Sequence, residues 1–537
     1  MSKHKKWTQT AMWSLAAVLL LSIVLAGCSG GSNNDTPPSE NDQVGESTDN
    51  NASGEAGNNG AGDEPVALSW MVRGVVLEDS FGEQFVEENF GVDLDIISVP
   101  GADYVQRQQI MMTTGEVPDV MFILDPNEMK KYANQGLLAE VPMDLIEQYA
   151  PGIRAEIDEH APQGWYYTEY NGANYGVPTL YPSGRFTTPV TWRTDLLRQA
   201  GIDEIPETID EMTAAFEALK QIDVYGMSTN GNSYYQAFQK IFGAYGVMPM
   251  QWTVRDGEVV NGAVLPEAKE ALAQLAEWYQ NGYIDPEFVT GANMDTKYTD
   301  GVFAFSQNSS IYSTDESNPN SAISVLRAVN PDGEIAFGPL PKGPRGESGG
   351  WAWGGAGNIF AFGKQLEDHP EKMQKALEIM NEAVTDQEMF FTLAFGEEGT
   401  HWEYVNGTDF KEGITAIPPY DDPSVLQEEG IGMSRGASFF GHSGIYDFYE
   451  MYTGASIMEL NNMYLDGSMY DIFGKPDILP SAGQYWGDLQ KLKTETYAKI
   501  IRGDQPVDYF DSFVQQWNEM GGEQLREEGQ ALYDSLQ

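Results

Sequence analysis

At 537 residues the chain exceeds a single ordinary domain, so two lobes or domains are expected, and 41% hydrophobic with 12% aromatic residues is ample for packed cores. A net charge of −51 argues against nucleic acid and against a broad anionic membrane surface as partners, since no basic face can neutralise phosphates. Such acidity favours solubility and suits a salty or alkaline habitat, and the single cysteine excludes disulfides, thiolate zinc sites and a cysteine nucleophile in the body.

The N-terminus carries an address. Lys3, Lys5 and Lys6 precede an apolar run at 11–24, which is short for a spanning helix and reads as a secretory signal. Leu25-Ala26-Gly27-Cys28 follows and resembles the bacterial lipoprotein lipobox, which implies cleavage after residue 27 and a lipid on Cys28. Residues 29–64 hold eight acids, no Lys or Arg and no aromatic side chain. That composition cannot bury enough apolar surface to offset chain entropy, so 28–64 is expected to be a disordered acidic tether.

Beyond the tether, 67–72 reads as an apolar strand, and a helix carrying Phe81 and Phe85 stops near Gly91. Val92, Leu94 and Ile96 alternate with Asp93 and Asp95, a half-buried strand. A second helix carries Val105, Ile110 and Met111, and a continuous apolar strand then runs to Asp125. Strands alternating with helices of this length predict an α/β unit with a largely parallel sheet. Residues 171–197 are broken by glycine and proline and rich in rings and arginine. They read as the crossing between two lobes, with aromatic and basic side chains facing a cleft.

After the crossing, Thr208 and Glu211 form a capping-box match ahead of a helix with Met212, Phe216 and Leu219 on one face. Pro266 opens another helix, closed by Gly282. Strands are expected at 301–305 and 358–362, then a helix capped by Asp368 with Pro370 just inside it. The last strong helix is expected over 506–520, with Gly521 after it, and no repeat of fixed period is present.

Four stretches then carry a family likeness. They are Tyr175-Gly176-Val177-Pro178 with Trp192-Arg193-Thr194-Asp195-Leu196-Leu197, then Asn281-Gly282-Tyr283-Ile284-Asp285-Pro286-Glu287-Phe288. Gly396-Glu397-Glu398-Gly399-Thr400-His401-Trp402 and Gly503-Asp504-Gln505-Pro506-Val507-Asp508-Tyr509-Phe510 follow. In this order they resemble bacterial extracellular solute-binding proteins of family 1, within them the oligosaccharide-importer lipoproteins of Gram-positive bacteria. The resemblance implies an α/β fold of the two-lobed periplasmic-binding-protein type (type II), with discontinuous lobes joined by a hinge. It places the first lobe in 65–186 and 346–415 and the second in 187–345 and 416–537. It further implies a monomer that closes on an oligosaccharide and delivers it to the permease of an ABC importer, held by its lipid on the outer face of the cell membrane, with no catalysis and no cofactor.

Sugar binding needs flat apolar rings for C–H faces and directional polar groups for hydroxyls. Aromatic residues near strand ends or in glycine-rich loops fit a cleft of this kind: Trp70, Tyr181, Trp192, Trp252, Trp351, Trp353 and Trp402, with Trp70 the weakest because it sits inside a strand. Asp125 at a strand end, and Arg185 and Arg193 in the crossing, are candidates for polar contacts. For each ring a place in the core is the competing reading, and for each arginine a structural salt bridge. Gly346-Glu347-Ser348-Gly349-Gly350 fits G-x-S-x-G, but a nucleophile elbow needs a strand before the serine and a helix after it, and neither is expected here. His160, His369, His401 and His442 lack metal-ligand spacing, so no histidine-held metal is expected, and with no EF-hand-like loop present a calcium ion held by scattered oxygen ligands is left open. The 81 acids leave open a glycoside hydrolase with a carboxylate pair across the cleft, and the ligand a peptide or other solute.

Overall fold

A computed structural model describes residues 64–233, 235–407, 409–432 and 444–534. The signal peptide, Cys28 and most of the tether lie outside these residues. From residue 63 onward the chain forms one compact unit containing two separate main sheets.

In chain order the strands that matter are β1 (Val66–Arg73), β2 (Val92–Val99), β3 (Val120–Ile123), β4 (Val177–Leu180), β5 (Val190–Arg193), β6 (Tyr225–Met227), β7 (Phe303–Ser306), β8 (Ile335–Gly338), β9 (Gly350–Trp351), β10 (Ala356–Phe362) and β11 (Ser468–Met469). The first sheet has the order β2-β1-β3-β10-β4, the second β8-β5-β7-β6. In the first, β1 pairs in parallel with β2 and β3, with Trp70 opposite both Ile96 and Val120. β10 is antiparallel to both of its neighbours, β3 and β4. In the second sheet β7 and β6 are parallel, and β5 is antiparallel to β7 and β8. The expected largely parallel sheet is therefore mixed. The reason is connectivity: the chain leaves the first sheet after β4, builds the second, and re-enters through β10 in the reverse direction.

Each sheet is sealed by helices. Tyr104, at the start of the helix Tyr104–Thr114, is buried and donates from its hydroxyl to the Phe122 carbonyl at 2.9 Å. That helix buries Tyr104, Gln108, Met111 and Met112, whereas Val105 and Ile110 are exposed. Its inward face thus includes a glutamine, which is satisfied by donating to the Phe122 carbonyl at 3.0 Å. Against the second sheet the Trp192 ring lies 4.7 Å from Phe305 and 6.0 Å from Phe216, and Phe216 meets Trp278 edge-on at 5.0 Å. The Thr208 capping box is present, both halves of it. The helix Pro370–Thr385 is led by His369 rather than Asp368, which ends the preceding 3-10 turn.

The C-terminal region departs most from expectation. A 20-residue helix, Ala482–Ile501, precedes the helix Tyr509–Trp517. A wide turn at Asn518–Gly522, with Gly521 at φ 114, then leads to a further helix, Glu523–Asp534. The long helix escapes its sequence pattern because its buried face mixes Gln490, Lys493 and Thr496 with Trp486, Leu489 and Ile500.

Candidate ligand cleft between the two sheets

The direction of the strands locates the cleft. β1, β2, β3 and β4 end on one edge of the first sheet, and β10 begins there. β6 and β7 end, and β5 begins, on one edge of the second. Residues 181–189 join these two edges, and residues 339–355, which contain β9, join them in return. The carboxyl ends of both sheets therefore converge on the same junction, where open α/β sheets receive ligands.

Three stretches are laced together at this junction. Tyr181 N donates to the Gly355 carbonyl at 2.7 Å and Gly354 N to the Gly184 carbonyl at 2.8 Å. The Thr187 hydroxyl donates to the Trp351 carbonyl at 2.6 Å, while Thr187 N reaches Ser468 Oγ at 2.8 Å. β9 and β11 add a short parallel pair. Gly184 is required by this approach, since a Cβ there would run into the Tyr181 ring and the Gly354 carbonyl oxygen. Beneath the crossing, Lys240 is fully buried and donates to Thr187 Oγ1 at 2.5 Å. Burial holds its amine well below the ordinary lysine range.

Three rings stand on the junction. Trp351 and Trp353 meet edge-on at 4.5 Å, and Tyr235 lies 4.9 Å from Trp351 and 6.3 Å from Trp353. Trp353 is 43% exposed, and neither tryptophan belongs to an apolar core cluster. Trp351 is fixed by its backbone amide, which donates to Gln239 Oε1 at 2.7 Å. Gln239 in turn donates to Asn308 Oδ1, as does Thr188. Asn308 begins a polar trough along the carboxyl ends of β6 and β7. There, two adjoining cavities of about 570 and 330 Å³ are lined largely by serine, threonine, asparagine and glutamine, with Met294, Phe303, Ala322 and Val325 among them, and share Asp295, Thr296, Tyr298, Ser306 and Asn308.

The first sheet contributes Asp125, exposed at the end of β3, whose carboxylate accepts from Asn127 N at 2.9 Å and caps the following helix. Lys475 lies beside it, with Nζ 3.5 Å from the Leu124 carbonyl and 5.0 Å from the centre of the Tyr167 ring. Burial lowers Lys475 and raises Asp477, whose carboxyl also feels the Asp125 charge. Arg185 is half-buried, its guanidinium 4.4 Å from the centre of the Tyr446 ring.

The sequence candidates thus divide. Tyr181, Arg185, Trp351 and Trp353 meet at the junction, and Asp125 stands on the facing edge. Trp192, Trp252, Trp402 and Arg193 do not face the cleft: each is buried in the interior. Trp192 packs on Phe216 and Phe305 beside the second sheet. Trp252 lies on Trp486 at 6.2 Å and donates to the Pro476 carbonyl at 2.9 Å. Trp402 is 4.9 Å from both Tyr404 and Phe410, and its indole N–H donates to the Gly396 carbonyl. Arg193 makes a two-pronged pair with Asp195 at 2.9 and 2.8 Å and also reaches the Tyr298 and Thr299 carbonyls. Tyr235, Gln236 and Asn308 escaped sequence reading, because isolated tyrosines and amides carry no spacing signal.

Ser348 donates to the Leu340 carbonyl at 3.3 Å and is followed by the two-residue strand β9, not by a helix, so it is no nucleophile elbow. Among the described residues no group of three or more His, Cys, Asp and Glu side chains is placed to hold a metal ion, and no helix is long and apolar enough to cross a membrane.

The chain is 22% identical over 540 residues to the polygalacturonan/rhamnogalacturonan-binding protein YtcQ of Bacillus subtilis (strain 168), with 96% of each chain covered. It is also 22% identical to the lipoprotein LipO of the same organism, over 84% of this chain and 88% of that one. Among solved structures, an extracellular solute-binding protein from Bifidobacterium longum subsp. infantis matches with a TM-score of 0.63 at 14% identity, covering 88% of this chain and 98% of that one. The alginate-binding protein AlgQ2 matches with a TM-score of 0.61 at 18% identity, covering 88% and 99%. These likenesses agree with the two-lobed periplasmic-binding-protein type of fold. The family model for the bacterial extracellular solute-binding protein matches residues 70–365, more than half of the sequence, and the chain belongs to that family.

Proposed function

We propose that this protein is a non-catalytic receptor that captures an oligosaccharide between its lobes and hands it to the permease of an ABC importer. The observation that carries the reading is the half-exposed ring group of Tyr235, Trp351 and Trp353, linked through Gln239 to Asn308 in the lining of a trough rich in hydroxyls and amides. Rings hold the C–H faces of a pyranose, amides and hydroxyls take its OH groups, and the laced crossing is where the lobes hinge as they close. The names of the relatives support a glycan ligand. A monomer anchored by a lipid on Cys28 fits the lipobox-like sequence and the relative named as a lipoprotein. The lobe boundaries at 186, 345 and 415 belong to the same proposal.

The test is calorimetric titration with neutral and uronic oligosaccharides, followed by analysis of each recovered sugar. Saturable binding with the sugar intact is expected. A shortened sugar would establish a glycoside hydrolase instead, and binding of a peptide but no sugar would move the receptor to another solute class.

A further inference from the structure

The trough itself carries information about charge. Among the described residues no lysine or arginine lines either of the two adjoining cavities. The nearby Lys297 is occupied, its Nζ lying 2.7 Å from Asp285 and 2.6 Å from Glu287. Asp295 is exposed and lines both cavities, so among the described lining residues the one formal charge is negative. The remaining polar lining, including Ser228, Asn230, Ser310 and Asn320, is neutral. Asn308 is oriented by use of its oxygen, which accepts from Gln239 and Thr188 and leaves its NH2 group for a ligand acceptor. At the far end Tyr312, 47% exposed, offers a second ring face. The combined volume falls in the range of sites that enclose a ligand larger than one sugar ring.

We infer that this trough is a tract for an uncharged stretch of glycan, several sugar units long, running from the Trp351–Trp353 rings over Asn308 to Tyr312. The inference rests on the receptor reading above and narrows it to the class of sugar that occupies the second lobe. A uronate in the tract would bring a carboxylate beside Asp295 with no lysine or arginine among the described lining residues to balance it. At a separation of about 5 Å and an intermediate dielectric, such a like-charge pair lowers affinity by about tenfold or more. A neutral sugar meets hydroxyls, amides and rings there and brings no charge against Asp295.

The experiment titrates the full chain with neutral tetraoses of galactose, glucose, xylose and arabinose, with the corresponding disaccharides, and with tetragalacturonate of equal length. At least one neutral tetraose is expected to bind about tenfold more tightly than tetragalacturonate. Asn308→Ala and Tyr312→Ala are expected to weaken the tetraose more than the disaccharide, and Asp295→Asn to raise tetragalacturonate affinity several-fold. Melting curves of the variants check folding, and Asp295 and Tyr312 are surface side chains whose replacement leaves the core intact. If tetragalacturonate binds more tightly than every neutral sugar and Asp295→Asn leaves it unchanged, the neutral tract is wrong while the sugar receptor stands. If no sugar of either kind binds, the receptor reading falls and the inference with it.

Discussion

Replacing Trp353 by alanine separates a ligand-facing ring from a core ring. The side chain is 43% exposed, which for an indole leaves roughly 100 Å² for a ligand to cover. At about 25 cal/mol per Å², full coverage contributes about 2.5 kcal/mol and half coverage about 1.3 kcal/mol. Trp353→Ala should therefore weaken sugar binding by about tenfold, with an upper bound near 70-fold. The cost to folding is smaller. Trp353 lies outside the apolar clusters, and its edge contact with Trp351 is worth about 0.5–1.5 kcal/mol. Calorimetric titration with the tightest-binding oligosaccharide, alongside a thermal melt, reads both quantities. Affinity within about twofold of the parent, with the fold intact, would remove the ring from the site and refute the coverage argument.

The buried Arg193–Asp195 pair predicts the opposite pattern: Arg193→Met should cost about 3–5 kcal/mol of stability in denaturant melts while the folded fraction keeps its sugar affinity. Gly184→Ala forces a methyl group into the Tyr181 ring and the Gly354 carbonyl, so a loss of about 1–3 kcal/mol is expected, together with weaker binding because the crossing itself is displaced. Asp471 is fully buried and accepts from Trp252 N at 2.7 Å and Phe473 N at 2.8 Å, and burial pushes its carboxyl up to about 7. The native state then holds this proton more tightly than the unfolded chain does. The contribution of Asp471 to stability should accordingly fall as pH rises from about 4 to 7, by roughly 4 kcal/mol in all, and level off above that. Chemical denaturation at pH 5 and pH 7.5 checks it, because the difference between the parent and Asp471→Asn should change with pH in that direction.

Much of the fold was legible because single local signals decided it. The alternation in β2, the αL glycine at Gly91 and the Thr208–Glu211 capping box each fix a local structure without long-range help. The helix Ala482–Ile501 was not, since Lys493 and Gln490 lie on its buried face and blur the 3.6-residue period. Strand direction in the first sheet was also out of reach, because β10 pairs with β3 across more than 200 residues of intervening chain. Site residues were legible only as residue types. A tryptophan in a glycine-rich stretch led to Trp351 and Trp353, yet the same criterion selected Trp252 and Trp402, which close onto neighbouring rings inside the protein. Arg193 precedes Asp195 by two residues, and that local pairing was the better guide to its role.

Hydrogen exchange with and without a saturating oligosaccharide tests the central claim most directly, because it reads both edges of the cleft at once. Sugar held between the lobes should slow exchange at 228–230, 306–308 and 351–354 and, across the junction, at 124–127. Protection confined to one lobe, or to the C-terminal helices, would contradict a site built from the carboxyl ends of both sheets.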